Sequence, residues 1–518
     1  MVGCSNLFKQ LGISLKRRTS SISTSNTLIA SSFVSEKKMD YSTSGHHQQN
    51  QHQQEAVDFV DFLNASPSPF HAVHEASGRL EKAGFEKISE KDEWHLKKKG
   101  KYYFTRNGSS LVAFVVGDKY QAGQGGFSIV GAHTDSPCLK VKPISKKESV
   151  GYIEVGVQLY GGGIWHTWFD RDLGIAGRVM VQQHDGTYKH TLVHIKKPIL
   201  RVPTLAIHLD GSANEAFKFN KETQMLPILA TAAKSSLNAK KEERAWGPDQ
   251  TKNHHPALIN VLAETMKVEA RQICDFELCL FDTQPATLGG LYDEFVFSAR
   301  LDNLGMTYCS LMALIQSCND VSDESNIRLI SLFDNEEIGS TSAHGANSNL
   351  LPCTMERILS SNVGSKSAPK NIKVAFEQAV HKSMLVSADM AHAVNPNYAE
   401  KYEENHRPQM HKGTVIKINA NQRYATTAPT SLILREIARQ KEVPIQEFVV
   451  RNDSSCGSTI GPMLSAKLGI RTVDIGNPQL SMHSIRETGG VDDVKHGTDL
   501  LKAFFELFPS VDARVFVD

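Results

Sequence analysis

The chain has 518 residues, 57 Lys and Arg against 56 Asp and Glu for a formal net charge of +1, and 40% hydrophobic content. That balance excludes a disordered chain and the basic footprint of a nucleic-acid binder, and the length holds roughly three domains of ~150 residues. No apolar run reaches the ~18 residues of a membrane span, so no membrane partner is expected.

The eight cysteines (Cys4, Cys138, Cys274, Cys279, Cys309, Cys318, Cys353 and Cys456) form no CxxC pair and fit a reducing compartment. Lys9, Lys16, Arg17 and Arg18 sit among many Ser and Thr, with no acid before Glu36. This is the composition of an organellar transit peptide, while Met39 offers an alternative start. The expected address is cytoplasmic, or a plastid or mitochondrion where residues 1–38 act as a transit peptide. The tract His46 to Gln54 reads as a low-complexity Gln/His linker, so residues 1–54 are expected to be a disordered leader.

From Glu55 the pattern changes. Val57, Phe59, Val60, Phe62 and Leu63 recur at helical spacing up to Pro67 and Pro69, opening the first part of a catalytic domain over 55–145. Ser109 to Val116 and Phe127 to Ala132 read as short buried strands. Between 146 and 285 the texture is strand-like and Gly-rich, with Ile153 to Leu159, Gly177 to Gln182 and Thr191 to Ile195 as strands, which predicts an inserted β-rich domain. Over 286–518 the alternation resumes: Thr307 to Gln316 is helical, and Ile327 to Phe333, Val415 to Ile418 and Thr472 to Ile475 are strands. The predicted class is α/β, with a mixed sheet in a domain interrupted by the insert.

Ligand-type residues stand at or just past five predicted strand ends, where open α/β sheets build their sites. Phe127 to Ala132 leads into His133-Thr134-Asp135, Phe295 to Leu301 into Asp302, and Ile327 to Phe333 into Asp334-Asn335-Glu336-Glu337. Met384 to Ala388 leads into Asp389, and the run ending at Ile475 is followed by His483. Taken singly, each is an ordinary turn, cap or satisfied histidine. Together they suit two divalent cations, zinc by ligand type with cobalt or manganese as substitutes, and such a pair can hydrolyse an unactivated amide. Asp135 can accept the second ring N–H of His133. Of the adjacent Glu336 and Glu337, one can bind metal while the other serves as general base. The segment Ser454 to Ser458 lacks a Gly-x-Ser-x-Gly elbow, so a serine hydrolase is disfavoured.

These segments resemble the aspartyl aminopeptidases, the M18 group of zinc metallopeptidases. The likeness is carried by Gly131 to Cys138, Tyr160 to Trp165, Trp168 to Leu173, Ser298 to Asn303, Asp334 to Ser340, Ser387 to His392 and Ser481 to Ser484, and extends from about residue 55 to the C-terminus. It implies that Asp302 bridges two zinc ions, with His133 and Asp389 on one and Glu337 and His483 on the other. Glu336 would be the general base acting on a metal-bridged water, and Asp135 would orient His133. The implied activity is release of an unblocked N-terminal Asp or Glu from peptides, by a tetrahedral dodecamer built from dimers through the inserted domain. The aromatic run Trp165, Trp168 and Phe169 suits a packed interface. His208, in the apolar run Leu205 to Leu209 read as a strand, would reach a neighbouring subunit's site. Lys417, or Arg423 beside Tyr424, would receive the acidic side chain. One departure is Asn395, where many relatives are expected to carry His.

Overall fold

Four apolar runs, Ile327–Phe333, Phe127–His133, Met384–Ala388 and Arg471–Gly476, lie side by side as parallel strands at the centre of a nine-stranded sheet in the computed structural model. They read as near-continuous hydrophobic runs because both faces are covered. Alternate side chains serve opposite cores. Val130 and Ala132 join Ile330 and Leu332 against the helices Thr43–Ala65, Pro69–Lys82, Leu301–Ser317, Ala428–Gln440 and Val491–Asp512. Phe127 and Ile129 join Leu329 and Phe333 against Leu350–Ser360, Ile372–His381 and Ile460–Leu468. The flanking strands Ser110–Val116 and Thr414–Ile418 run antiparallel to their inner neighbours, so the sheet is mixed.

The structure describes residues 43–238, 250–361, 363 and 369–517. Residues 48–518 form one compact unit; of the separate unit 1–47 only the start of the helix Thr43–Ala65 is described. The transit-peptide reading of residues 1–38 lies outside the described residues. The expected Gln/His linker is corrected: residues 46–54 belong to that helix. Glutamine is a good helix former, and no Gly or Pro separates the tract from the amphipathic segment after Glu55. The next helix begins at Pro69, where Ser68 caps it and Pro occupies the first turn, whose N–H groups need no helical partner.

A second sheet of six antiparallel strands spans Cys138–Ser149 to Ile273–Asp282, beginning ahead of the predicted 146. Its core takes in the helix Pro256–Met266 together with Trp165 and Trp168, which are buried within the chain. Phe169 stacks on Phe217 and Phe219, with ring centres 5.0 and 4.9 Å apart. The expected strand at Leu205 to Leu209 is corrected: the segment is a turn with Leu205, Ile207 and Leu209 exposed, so its apolar residues mark surface and not a pleated core. A third sheet of five short strands contains the hairpin Pro478–Leu480 and Glu487–Gly490. No helix among the described residues is long and apolar enough to cross a membrane.

A buried ion pair ties the end of the helix Leu301–Ser317 to the strand after it. Arg328 Nε donates to Glu324 Oε2 at 2.8 Å, its guanidinium also reaches the Ser317 carbonyl, and Glu324 Oε1 accepts the Asn326 N–H at 2.8 Å. Both side chains are at most 5% exposed. Glu324→Ala strands a buried guanidinium and is expected to cost about 3–5 kcal/mol. A urea titration checks this, and an unshifted midpoint would refute it.

Candidate metal centre

The parallel strands point their C-terminal ends to one edge, and four of the predicted residues arrive there as expected. His133 is the last residue of its strand, Asp389 directly follows Met384–Ala388, and Glu336 and Glu337 occupy the single helical turn Glu336–Ile338 just past Phe333. Asp302 is not at a strand end, which corrects the sequence expectation. The strand stops at Ser298, Arg300 turns the chain in a left-handed conformation (φ 61°), and Asp302 lies in the first turn of the helix Leu301–Ser317 with φ −83° and ψ 107°. His483 sits in the hairpin loop between Pro478–Leu480 and Glu487–Gly490.

These residues converge. His133 Nε2 lies 3.4 Å from Asp302 Oδ1, 3.4 Å from Asp389 Oδ1 and 3.8 Å from Glu336 Oε2. His483 Nε2 lies 3.1 Å from Asp302 Oδ2 and 3.4 Å from Glu337 Oε2. Asp302 therefore turns one oxygen to each imidazole. Both rings have Nδ1 against a backbone carbonyl, Asp135 O at 3.0 Å for His133 and Gly162 O at 3.1 Å for His483, which leaves Nε2 free to ligate. One donor atom each from His133, Glu336 and Asp389 lies within 4.8 Å of the others, as does one each from His133, Asp302 and Glu337. His133 Nε2, Asp302 Oδ1, Glu337 Oε1 and Asp389 Oδ1 are buried with no hydrogen-bond partner. Orphaned buried polar atoms cost ~1–3 kcal/mol each, and imidazole with carboxylate is the donor set zinc takes, so these residues fit divalent cations.

Crowding shows in the proton affinities. Burial, reinforced by Asp389 and Asp302 against the opposing His133, lifts Glu336 to about 8. Burial and Asp302 push Glu337 well above the carboxylate range. Burial opposes charge on His483, yet Asp302 and Glu337 raise it to about 10. Burial likewise works against the Asp302 carboxylate, but the two imidazoles hold it far below its ordinary value.

Glu487, Ser136 and Thr307 hold this constellation without a local signal in the sequence, alongside Asp135, which the sequence does single out. Glu487, 2% exposed, accepts the backbone N–H of His483 at 2.8 Å and of Asp302 at 3.2 Å. Ser136 Oγ donates to the Asp302 carbonyl at 2.6 Å, and Thr307 Oγ1 to the His133 carbonyl at 2.7 Å. Asp135 contacts His133 Nδ1 through Oδ1 at 3.3 Å and also accepts the backbone N–H groups of Glu336 and Glu337 at 3.1 Å each.

A cavity of about 440 Å³ opens over Asp302, Glu336, Glu337, Asp389 and His483, and its far wall includes Lys417, Tyr424, His392 and Phe448. Lys417 is 3% exposed, with Nζ 3.8 Å from Asp389 Oδ2 and 5.5 Å from the Tyr424 ring centre. Gly457 and Ser458 line the cavity as well. Arg423 is outside this wall and donates to the Cys456 carbonyl at 3.1 Å, which separates the two candidate cations. His208 is exposed and also outside the cavity.

Residues 62–505 match the family model described as aminopeptidase I zinc metalloprotease (M18). The chain is 54% identical to an aspartyl aminopeptidase of Aspergillus oryzae over 492 residues, covering 90% of this chain and 98% of the relative. It is 48% identical to an aspartyl aminopeptidase of Dictyostelium discoideum, covering 88% and 97%. Among solved structures it resembles the Ape4 chain of an Ape4 and Nbr1 complex, with TM-score 0.85, 47% identity and coverage of 90% and 88%. It also resembles the S. cerevisiae mApe1 dodecamer, with TM-score 0.78, 31% identity and coverage of 90% and 99%.

Zinc titrated into chelator-stripped protein is expected to raise the thermal midpoint, since a ligand bound only by the folded state stabilises it by ~4 kcal/mol at a thousandfold excess over Kd. Glu337→Gln imitates the neutral acid that burial favours, so it should leave the metal-free midpoint unchanged and remove much of the zinc-induced rise. Calorimetry with and without zinc checks both; a full rise in the variant would exclude Glu337 from the metal's ligands.

Proposed function

The chain belongs to the M18 family of zinc aminopeptidases, and we propose that it removes an unblocked N-terminal Asp or Glu from peptides with two divalent cations and Glu336 as general base. The observation that carries this reading is Asp302, whose two oxygens face different imidazoles at 3.4 and 3.1 Å. In that position Asp302 would serve two cations, with His133 and Asp389 as the further residues holding one and Glu337 and His483 the other. Bound there, the cations would supply Lewis acidity for the scissile carbonyl and a lowered pKa for the attacking water. Glu336 would act as the general base, taking a proton from the attacking water and passing it to the leaving amine, a role supported by its Oε2 lying 3.8 Å from His133 Nε2. Asp135 holds the ring of His133 and the turn that carries the base.

The acidic preference is assigned to Lys417. A substrate carboxylate taken into this cavity needs a cationic partner, and Lys417 is the buried lysine in its wall, with its ammonium over the Tyr424 ring. Arg423 is set aside as the primary contact because its guanidinium bonds the Cys456 carbonyl. The six-stranded sheet, with residues 146–285, is proposed as a dimerisation domain of a dodecamer, a state supported by the likeness to the mApe1 dodecamer. The exposed turn Leu205 to Leu209 then offers His208 to a neighbouring subunit.

The test is kinetic. Purified protein should cleave Asp- and Glu-capped chromogenic peptides ahead of Leu- and Ala-capped ones, refuse N-acylated versions and lose activity to chelation. Glu336→Gln should lower kcat by ~10²–10⁴-fold with metal content retained; full activity in that variant would overturn the mechanism. Lys417→Met should erase the preference for Asp over Leu, a loss of about 2–5 kcal/mol for an unpaired carboxylate. An unchanged ratio would remove Lys417 from the pocket.

A further inference from the structure

The turn bearing Glu336 and Glu337 closes on itself through backbone hydrogen bonds, from the Gly339 N–H to the Glu336 carbonyl at 2.8 Å and from the Ser340 N–H to the Asn335 carbonyl at 2.7 Å. Its cap Asn335 is left-handed at φ 65° and makes no side-chain cap bond, and the turn ends at Gly339. Its attachment to the six-stranded sheet runs through side chains from elsewhere. Asp135, with 0% exposure, gives Oδ1 to the Glu336 N–H and Oδ2 to the Glu337 N–H. The Tyr160 hydroxyl donates to the same Oδ2 at 2.6 Å and accepts the Asn335 side-chain amide at 2.9 Å. Three consecutive residues are thus hung from two side chains: Asn335 from the phenol, Glu336 and Glu337 from the carboxylate that the phenol steadies.

Tyr160 ends the strand Tyr152–Tyr160 of the six-stranded sheet, opposite Cys138. It is 8% exposed, and the Lys140 ammonium lies 3.7 Å from its ring centre. Burial, then the charges of Asp135 and Asp334, push its phenol far above the ordinary value, so the hydroxyl stays a donor. Gly161 follows at φ 79°, and a Cβ there would stand 3.2 Å from Glu337 Cβ. The strand end and the turn are therefore in close apposition. Tyr160 itself is outside the wall of the site cavity, so it acts only through its neighbours.

We infer that Tyr160 is a positioning residue: by clamping Asp135 and Asn335 it fixes the Glu336–Glu337 turn to the six-stranded sheet. The inference rests on the reading of Glu336 as base and Glu337 as metal ligand. Displacing a reacting group by ~1 Å can cost ~10²-fold in rate, and loss of a ligand's supporting hydrogen bonds costs ~10–100-fold in metal affinity.

Tyr160→Phe removes one oxygen atom and is the test. On an Asp-capped chromogenic peptide kcat should fall ~10–100-fold with KM within about twofold, and zinc affinity, read by competition with a chromogenic chelator, should fall ~10-fold or more. Tyr308→Phe is the structural comparison, because it deletes another buried hydroxyl, bonded to Asp58 at 2.7 Å away from the site. It should lower the thermal midpoint and leave kcat and zinc affinity unchanged. If Tyr160→Phe behaves like Tyr308→Phe, losing only thermal stability, the inference is overturned. Should Tyr160→Phe be insoluble, Asn335→Gly keeps the left-handed turn while removing the amide arm; a smaller loss of kcat and zinc affinity supports the clamp, and no loss rejects it. Wild-type protein that binds zinc without cleaving any capped peptide would sink the proposed reaction, while the zinc competition would still decide the role of Tyr160.

Discussion

The centre of this molecule is governed by a concentration of buried negative charge. Asp302, Glu336, Glu337 and Asp389 crowd around two imidazoles at the floor of a cavity, largely shielded by protein, and four atoms of the cluster have no hydrogen-bond partner. Such a group can respond by taking up protons or by taking up cations. The raised values of Glu336 and Glu337 and the raised His483 are the proton response. The fixed Nδ1 bonds of both histidines favour the cation response, because they pre-set the ring nitrogens that a metal needs.

Rigidity around the cluster comes from three sheets at once. The central parallel strands carry His133 and Asp389, the five-stranded sheet presents His483 and Glu487, and the six-stranded sheet reaches in through Tyr160 and Gly162. No single element could place all five proposed ligands. A cluster assembled in this way depends on the docking of the sheets on one another, and the six-stranded sheet takes part through the contacts of Tyr160 and Gly162.

Legibility in the sequence followed burial. The central strands are readable because both faces are covered and the runs are continuously apolar, and they lead into histidine and carboxylate residues that a reader can count. The segment Leu205 to Leu209 has the same apolar texture and is an exposed turn, since periodicity alone does not distinguish a buried run from a surface one. The Gln/His tract was misread in the opposite direction, because low complexity hid a helix that continues into the core-facing segment. Asp302 is singled out as a candidate ligand but expected on the wrong element; nothing in Arg300 announces the left-handed turn that follows the strand. Glu487 and Tyr160 were not legible as supports, because their partners lie 185 and 175 residues away for the Asp302 and Asn335 contacts.

An acid-preferring reaction at such a site carries an internal tension. Wherever its carboxyl groups are ionised, the cluster repels an incoming Asp or Glu side chain, while the free ammonium of the same substrate is attracted to it. Lys417 offsets one charge from the side, but it already stands 3.8 Å from Asp389 Oδ2 and cannot neutralise the rest. In the proposed reaction, charge at the centre is balanced only after cations occupy the cradle, so metal loading must precede productive binding of an acidic peptide. The near-neutral chain conceals this: a formal charge of +1 over 518 residues coexists with a local excess of acid, and in the proposed reaction that excess would set both what the site binds first and what it then admits.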